Sequence, residues 1–410
     1  MRRVAAKMGA PMRARHLVAI LPVWLLATPA TTAPEGLAVD PKDPRFLGRS
    51  DLVGRISATP HGYFRFINSA FAAETCRLFA DAVDRMPEVN LHGDAHIEQY
   101  TVTNLGRGLS DFDDCTRGKA VIDLVRLGSS LLIAAREKGW SRDETSFVDQ
   151  ALRGYRAGLK DERLHMATPD LATRARQSFR WDHARALRQA SALIDQAPLA
   201  NDAFADGVTR FVELVGFGRE LAPDHFKVKR IGALTIGVGS ALDEKYLILF
   251  EGPSPAPEDD MIVEAKQIRE LAGNPCVRTD VGASRVLDGQ RLIAYEPFAY
   301  AAVVPHDGKY FWMHDWTDDY QEASIATQIR SPRDLRQIAY DVGVQMGRAH
   351  PKLQDGSQSK ARRQEVLRSF ESIEGRLRIA MRELAGRTDA AWRQFRQGVA
   401  APAPGGQSLN

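Results

Sequence analysis

At Lys227 the chain changes character. Before it, apolar residues recur at helical spacing. From Gly232 onward, glycines punctuate β-branched residues, and Tyr246–Phe250, Met261–Ala265 and Arg291–Glu296 read as short strands. Helical spacing returns at Ser331. A chain that switches once from helix to sheet and back, without alternating, predicts an α+β fold in which helices and a small sheet are segregated.

The helical parts have recognisable starts and faces. Val121 to Arg136 is apolar enough for a buried helix, and Ser141-Arg-Asp-Glu144 has the form of a capping box ahead of Phe147, Ala151, Leu152, Tyr155 and Leu159. Asp170 to Leu221 reads as helix broken near Pro198 and Pro223. Gly252 to Asp260, rich in proline and acid, suits a hairpin loop between two strands. Ser331-Pro332 caps a helix with Leu335, Ile338, Val342 and Met346 on one face, ending near His350-Pro351, and a charged helix is expected over 360–397. The expected organisation is a mainly helical segment over 34–225, a small β lobe over 226–316, C-terminal helices over 317–398 and a loose tail over 399–410.

Residues 1–33 stand apart. Arg2, Arg3, Lys7, Arg13 and Arg15 precede the apolar run Leu17–Thr28, too short to span a bilayer, and small residues follow it. This is the shape of a signal peptide or N-terminal anchor. It implies an exported chain, periplasmic or held at the inner membrane by this segment alone, and a cytoplasmic one if the segment is not a working signal.

Composition narrows the class. Hydrophobic residues make up 44% and charged residues 26% of 410, which excludes a disordered or multi-span protein. Lys and Arg number 55 against 52 Asp and Glu, so no basic surface for nucleic acid is implied. Cys76, Cys115 and Cys276 are odd in number and lack CxxC spacing, which speaks against a disulfide framework and a thiolate zinc site.

The densest polar cluster is Leu91-His-Gly-Asp-Ala-His-Ile-Glu-Gln99, followed by Ser110-Asp-Phe-Asp-Asp114. Asp94 can take a hydroxyl proton, while Asp111 and Asp113 can hold a hard magnesium ion that also contacts phosphate oxygens. In Ile236-Gly-Val-Gly-Ser240, the bare glycines Gly237 and Gly239 and the amide of Ser240 can approach phosphate, and Lys266 at the end of an apolar strand can pair with it. Asp123 and Arg126, three apart, share a helix face and can brace the acid loop or form an exposed pair. His92, Asp94 and His96 alternate, a spacing compatible with a transition metal. No GxxxxGK[ST] or complete GxGxxG is present.

These segments, with Ser57-Ala-Thr-Pro-His-Gly-Tyr-Phe-Arg65, Asp123-Leu-Val-Arg-Leu127, Arg285-Val-Leu-Asp-Gly-Gln-Arg291 and Gly347-Arg-Ala-His350, give the chain a resemblance over residues 51–350 to the bacterial family known as domain of unknown function 2252. The His92-Gly-Asp and Asp111-Phe-Asp loops also look like those of aminoglycoside phosphotransferases. That likeness implies a two-lobed kinase-like fold using ATP or another nucleotide with Mg2+. Asp94 would be the base, His92 its support and Asp111 the metal ligand, joined by Asp113, while Gly237, Gly239, Ser240 and Lys266 would hold the nucleotide. In such kinases the glycine turn and lysine precede the acid loops; here they follow, which implies a circular permutation. Where they carry asparagine, five residues after the aspartate, this chain has Gln99 as the would-be metal ligand.

Three functional classes follow. The first is phosphoryl or nucleotidyl transfer to an unidentified small-molecule or protein acceptor. The second, suggested by Gln99 and the leader, is a catalytically silent pseudokinase that binds or regulates in the envelope. The third is a metal-dependent hydrolase built on His92, Asp94 and His96.

Overall fold

The computed structural model describes residues 36–400 apart from 105, 218–225, 236, 240, 253 and 255. Three helices, α1 (Ser50–Ala58), α2 (Pro60–Phe66) and α3 (Asn68–Leu78), lead into strands β1 (Glu88–Leu91), β2 (Tyr100–Thr103), β3 (Arg107–Leu109) and β4 (Thr116–Lys119). Leu91 pairs with Thr116 and Tyr100 with Leu109. Both acid loops are therefore clamped side by side at the ends of two short antiparallel ladders. Helices α4 (Val121–Glu137) and α5 (Glu144–Lys160) follow, and α4 is buried on every side from Val121 to Ala135.

Helices α6 (Asp170–Ser178), α7 (His183–Ile194) and α8 (Ala205–Gly216) bring the chain to a six-stranded antiparallel sheet. Its order is β5 (Pro198–Leu199), β6 (Val228–Ala233), β7 (Lys245–Phe250), β8 (Met261–Gln267), β10 (Lys309–Asp315) and β9 (Ala301–His306), with α9 (Arg285–Ile293) inserted after β8. Strand β11 (Tyr320–Glu322) then leaves that sheet to pair with β2, and α10 (Pro332–Ala349) and α11 (Lys360–Ala400) complete the helical core.

Glycine sets the closeness of that core. A Cβ on Gly154 or Gly158 of α5 would stand 2.2 or 2.5 Å from the carbonyls of Tyr340 or Val344 on α10, and one on Gly343 or Gly347 would stand 2.2 Å from those of Ala151 or Tyr155. The two backbones touch where side chains would otherwise separate them.

Alternation divides the large sheet into two faces. Ile248, Phe250, Val263, Ala265, Phe311 and Met313 pack with Phe204 and with Phe211 of α8. On the opposite face α7 covers Leu247, Leu249 and Ile262. Lys245, Glu264, Lys266, Trp312 and His314 share that face by period two, beyond the stretch that α7 covers, and line a cavity.

The α+β architecture stands, with local corrections. Arg291–Glu296 is not a strand: Arg291 lies in α9, whose Val286, Gly289, Gln290 and Ile293 are buried at helical spacing. The capping box at Ser141 does not form, because Ser141–Asp143 make a 3-10 turn and the N-cap of α5, Asp143, makes no side-chain bond to the helix N-terminus. The one at Ser331 does form, with Asp334. Cys76 and Cys276 are joined in a disulfide despite their spacing, and Cys115 is free and buried. Residues 200 apart are brought together by tertiary structure that no spacing rule anticipates. The leader-like segment, Ser240 and the tail from 401 lie outside the described residues. Among the described residues no helix is long and apolar enough to cross a membrane.

Candidate functional site

The glycine-rich turn between β6 and β7 reaches back over the acid loops. A Cβ on Gly239 would stand 3.5 Å from the Arg65 carbonyl and 4.0 Å from Asp94 Oδ2, so little but backbone separates the turn from Asp94. Gly237 has φ +97, a conformation that favours glycine. Between turn, sheet and loops lies a cavity of about 420 Å³ whose lining includes Asp94, His96, Gln99, Asp111, Asp113, Gly237, Gly239 and Lys266.

Asp94 is fixed from behind by α4. Arg126 Nε and Nη2 lie 2.8 and 2.7 Å from its Oδ1, and the guanidinium stacks on Phe64 at 3.7 Å. Asp123, also on α4, accepts from the backbone N–H of His92 at 2.7 Å and of Gly93 at 2.8 Å, and His350 Nε2 lies 3.2 Å away. Asp123 and Arg126 thus brace the loop. Gly93, at φ +81, leaves no room for a Cβ, which would fall 2.0 Å from the Asp114 carbonyl. Burial pushes the Asp94 carboxyl above the usual range, and Arg126 offsets only part of that.

His92 supports the loop without reaching the cavity. Its Nε2 lies 2.8 Å from the Ser110 carbonyl and its Nδ1 accepts from Asp94 N at 3.3 Å. His96 lines the cavity, with Nε2 3.6 Å from Asp94 Oδ2, and burial, then Arg65, holds it well below the ordinary histidine range. Among the described residues no three His, Cys, Asp or Glu side chains converge as metal ligands.

Lys266 meets both carboxylates of the second loop, with Nζ 2.5 Å from Asp111 Oδ1 and 2.6 Å from Asp113 Oδ2. Burial alone would raise Asp111, but the Lys266 ammonium overrides it and holds the carboxyl well below the usual range. Burial, and then the charge of Asp111, pushes Asp113 well above it. The two carboxylates that flank the lysine are thus pushed apart in proton affinity, Asp111 down by the ammonium and Asp113 up by burial and by its neighbour's charge. Asp111 sits at φ +64, a left-handed conformation that turns its carboxylate toward the lysine, and Gln99 Nε2 lies 3.4 Å from its Oδ2.

A hard cation fits this donor set. Asp111 and Asp113 offer carboxylate oxygens, Asp113 Oδ1 is buried with no hydrogen-bond partner, and the Gln99 amide adjoins them.

The family described as an uncharacterized protein conserved in bacteria, DUF2252, matches residues 52–197 and 162–398. The chain belongs to that family. No curated protein and no solved structure matches it.

In this DUF2252 chain, Asp94, Gln99, Asp111, Asp113, Gly237, Gly239 and Lys266 meet around one cavity, while His92 stands behind it. Sequence reasoning passed over Lys245, which pairs in register with Lys266, and Arg269, which touches both the glycine turn and the acid loop. Lys245 had a signal: it is in phase with Leu247 and Leu249, so a strand that buries them points the lysine the same way. Arg269 had none, because its partners come from distant loops.

Proposed function

We propose that the cavity binds a nucleotide polyphosphate with Mg2+ and transfers a phosphoryl or nucleotidyl group to a hydroxyl acceptor, in a kinase-like arrangement whose nucleotide-holding segments follow the acid loops in sequence. The observation that carries this reading is the meeting of Lys266 with Asp111 and Asp113 beside Asp94, beneath the Gly237–Gly239 turn. A lysine held by acids in a cavity has a ready exchange partner in phosphate.

Asp111, Asp113 and the Gln99 amide would hold the magnesium, which when bound neutralises charge on the phosphate oxygens. Lys266 pairs with the phosphates, and the turn amides cover them. For phosphoryl transfer, Asp94 orients the acceptor hydroxyl: its oxygen bonds to the γ-phosphorus, the bond from that phosphorus to the β–γ bridging oxygen breaks, and the hydroxyl proton passes to Asp94. A carboxyl raised by burial is the better proton acceptor near neutral pH. His92 holds the loop from behind. Binding without turnover is the second reading, favoured by Gln99, whose longer amide alters the reach toward the metal.

Thermal denaturation with ATP, with and without Mg2+, tests this. At about 100 times its dissociation constant a ligand adds about 2.7 kcal/mol of apparent stability. A magnesium-dependent shift lost in Asp111→Asn is expected, and no shift at millimolar nucleotide would overturn the proposal. A shift without release of ADP or diphosphate leaves binding and removes transfer.

A further inference from the structure

Residues 268–284 join β8 to α9 with no helix or strand of their own, a length at which connectors usually have a function. We infer that this strap is a working part of the site: Arg269 is a positioning residue that ties the glycine turn to the second acid loop, and the Cys76–Cys276 disulfide is its covalent anchor. This does not depend on which ligand the cavity takes.

At the leading end of the strap, Arg269 Nη1 donates to the Gly239 carbonyl at 3.2 Å. The rest of its guanidinium faces Asp114 Oδ1 at 3.5 Å, Asp243 Oδ2 at 3.7 Å and Asp113 Oδ2 at 3.8 Å. One side chain thus spans both walls of the cavity. Its own carbonyl accepts from Arg285 Nη2 at 2.9 Å, and Arg285 Nη1 donates to the carbonyls of Asp113 and of Cys115, the latter at 2.9 Å. Arg285 therefore fastens the strap and the loop to each other.

Further along, the strap is laid on β4, which directly follows that loop. Lys119 N donates to the Cys276 carbonyl at 2.8 Å, Arg278 N to the Arg117 carbonyl at 2.8 Å and Thr116 Oγ1 to the Arg278 carbonyl at 2.6 Å. Gly118 permits this, since a Cβ there would stand 2.1 Å from the Cys276 carbonyl. Cys276 is bonded to Cys76 on α3, with Cα atoms 5.7 Å apart. The bond removes the freedom that an irregular connector would otherwise lose on settling over the loop.

Both cysteines are buried, so the bond belongs to folding rather than to later switching. Its formation takes two electrons and two protons from the thiols, which an oxidised dithiol carrier accepts by exchange. Such bonds persist in oxidising compartments. Assembly of the cavity is thereby tied to maturation there, in keeping with the leader-like segment at residues 1–33.

Hydrogen exchange read by mass spectrometry on the full chain tests this. It compares the oxidised protein with Cys76→Ala/Cys276→Ala, Arg269→Gln and Arg269→Lys. Peptides of the second acid loop and of the glycine turn should exchange on the order of tenfold faster in the double variant and in Arg269→Gln, with partial recovery in Arg269→Lys and unchanged protection in α5 and α10. Unchanged exchange in Arg269→Gln overturns the positioning role, even where the double variant fails to fold. A uniform rise that includes α5 and α10 makes the disulfide a general staple and overturns its anchoring role. Recovery of Cys76 and Cys276 as free thiols from the native host overturns the maturation step.

Discussion

Lys245 and Lys266 stand opposite each other across β7 and β8, two buried ammonium groups facing one cavity. Opposed like charges weaken a strand pair. Burial, and then Lys266, pulls Lys245 below the ordinary lysine range. Lys245→Met should therefore stabilise the ligand-free protein by up to about 1 kcal/mol and weaken Mg·ATP binding about tenfold, a loss of one charged phosphate contact. Scanning fluorimetry and calorimetry read the two effects, and a lowered melting temperature without ligand would refute the first.

Asp94→Asn keeps the shape of the side chain and removes its charge. Transfer should fall by about 10²–10⁴ while Mg·nucleotide affinity changes little. The same substitution leaves buried Arg126 without its counter-ion, at a cost of roughly 3 kcal/mol. Product formation and unfolding by urea are the two measurements, and transfer at the wild-type rate removes Asp94 from the chemistry.

Glu98 gives an acid-sensitive prediction. Burial would raise its carboxyl, but His61 and then Arg65 and the Ile325 amide bring it down from 4.5 to about 2. A depressed carboxyl contributes stability that is full above about 4.5 and is lost as pH falls toward about 2, here about 3 kcal/mol. Stability measured across that window should fall steeply in the wild type, and Glu98→Gln should flatten the slope. Parallel profiles would contradict it.

Gly154→Ala tests the contact between α5 and α10. The added methyl would meet the Tyr340 carbonyl at 2.2 Å, so the helices must part, with an expected loss of about 1–3 kcal/mol. Gly386, with open space where a Cβ would stand, serves as the control, since Gly386→Ala in α11 should stabilise by roughly 0.5–1 kcal/mol. Chemical denaturation of the two variants should give opposite signs.

Legibility followed the range of the forces involved. Ser331 and Pro332 announced α10 because a cap is a local device, and Val121–Arg136 announced α4 because a helix buried on every side needs no pattern beyond apolarity. Asp94, Asp111 and Lys266 were legible by residue type and loop context. Arg291–Glu296 misled because a short apolar run fits both repeats, and the buried Gln290 and Gly289 that make it a helix gain meaning only from neighbours. The Cys76–Cys276 pair and the reach of Arg269 are products of the assembled fold, so no local signal carries them.

The packing of α4 and α5 against α11 and α10 also bears on how the protein is made. When the first half of the chain has emerged from the ribosome, the side of α4 that packs on α11 is uncovered, and the glycine stripe of α5 has nothing to meet. Its complement lies beyond residue 331, on the far side of the whole sheet. The contact between α5 and α10 can therefore form only after residue 349 has been made, so this part of the core closes late in synthesis.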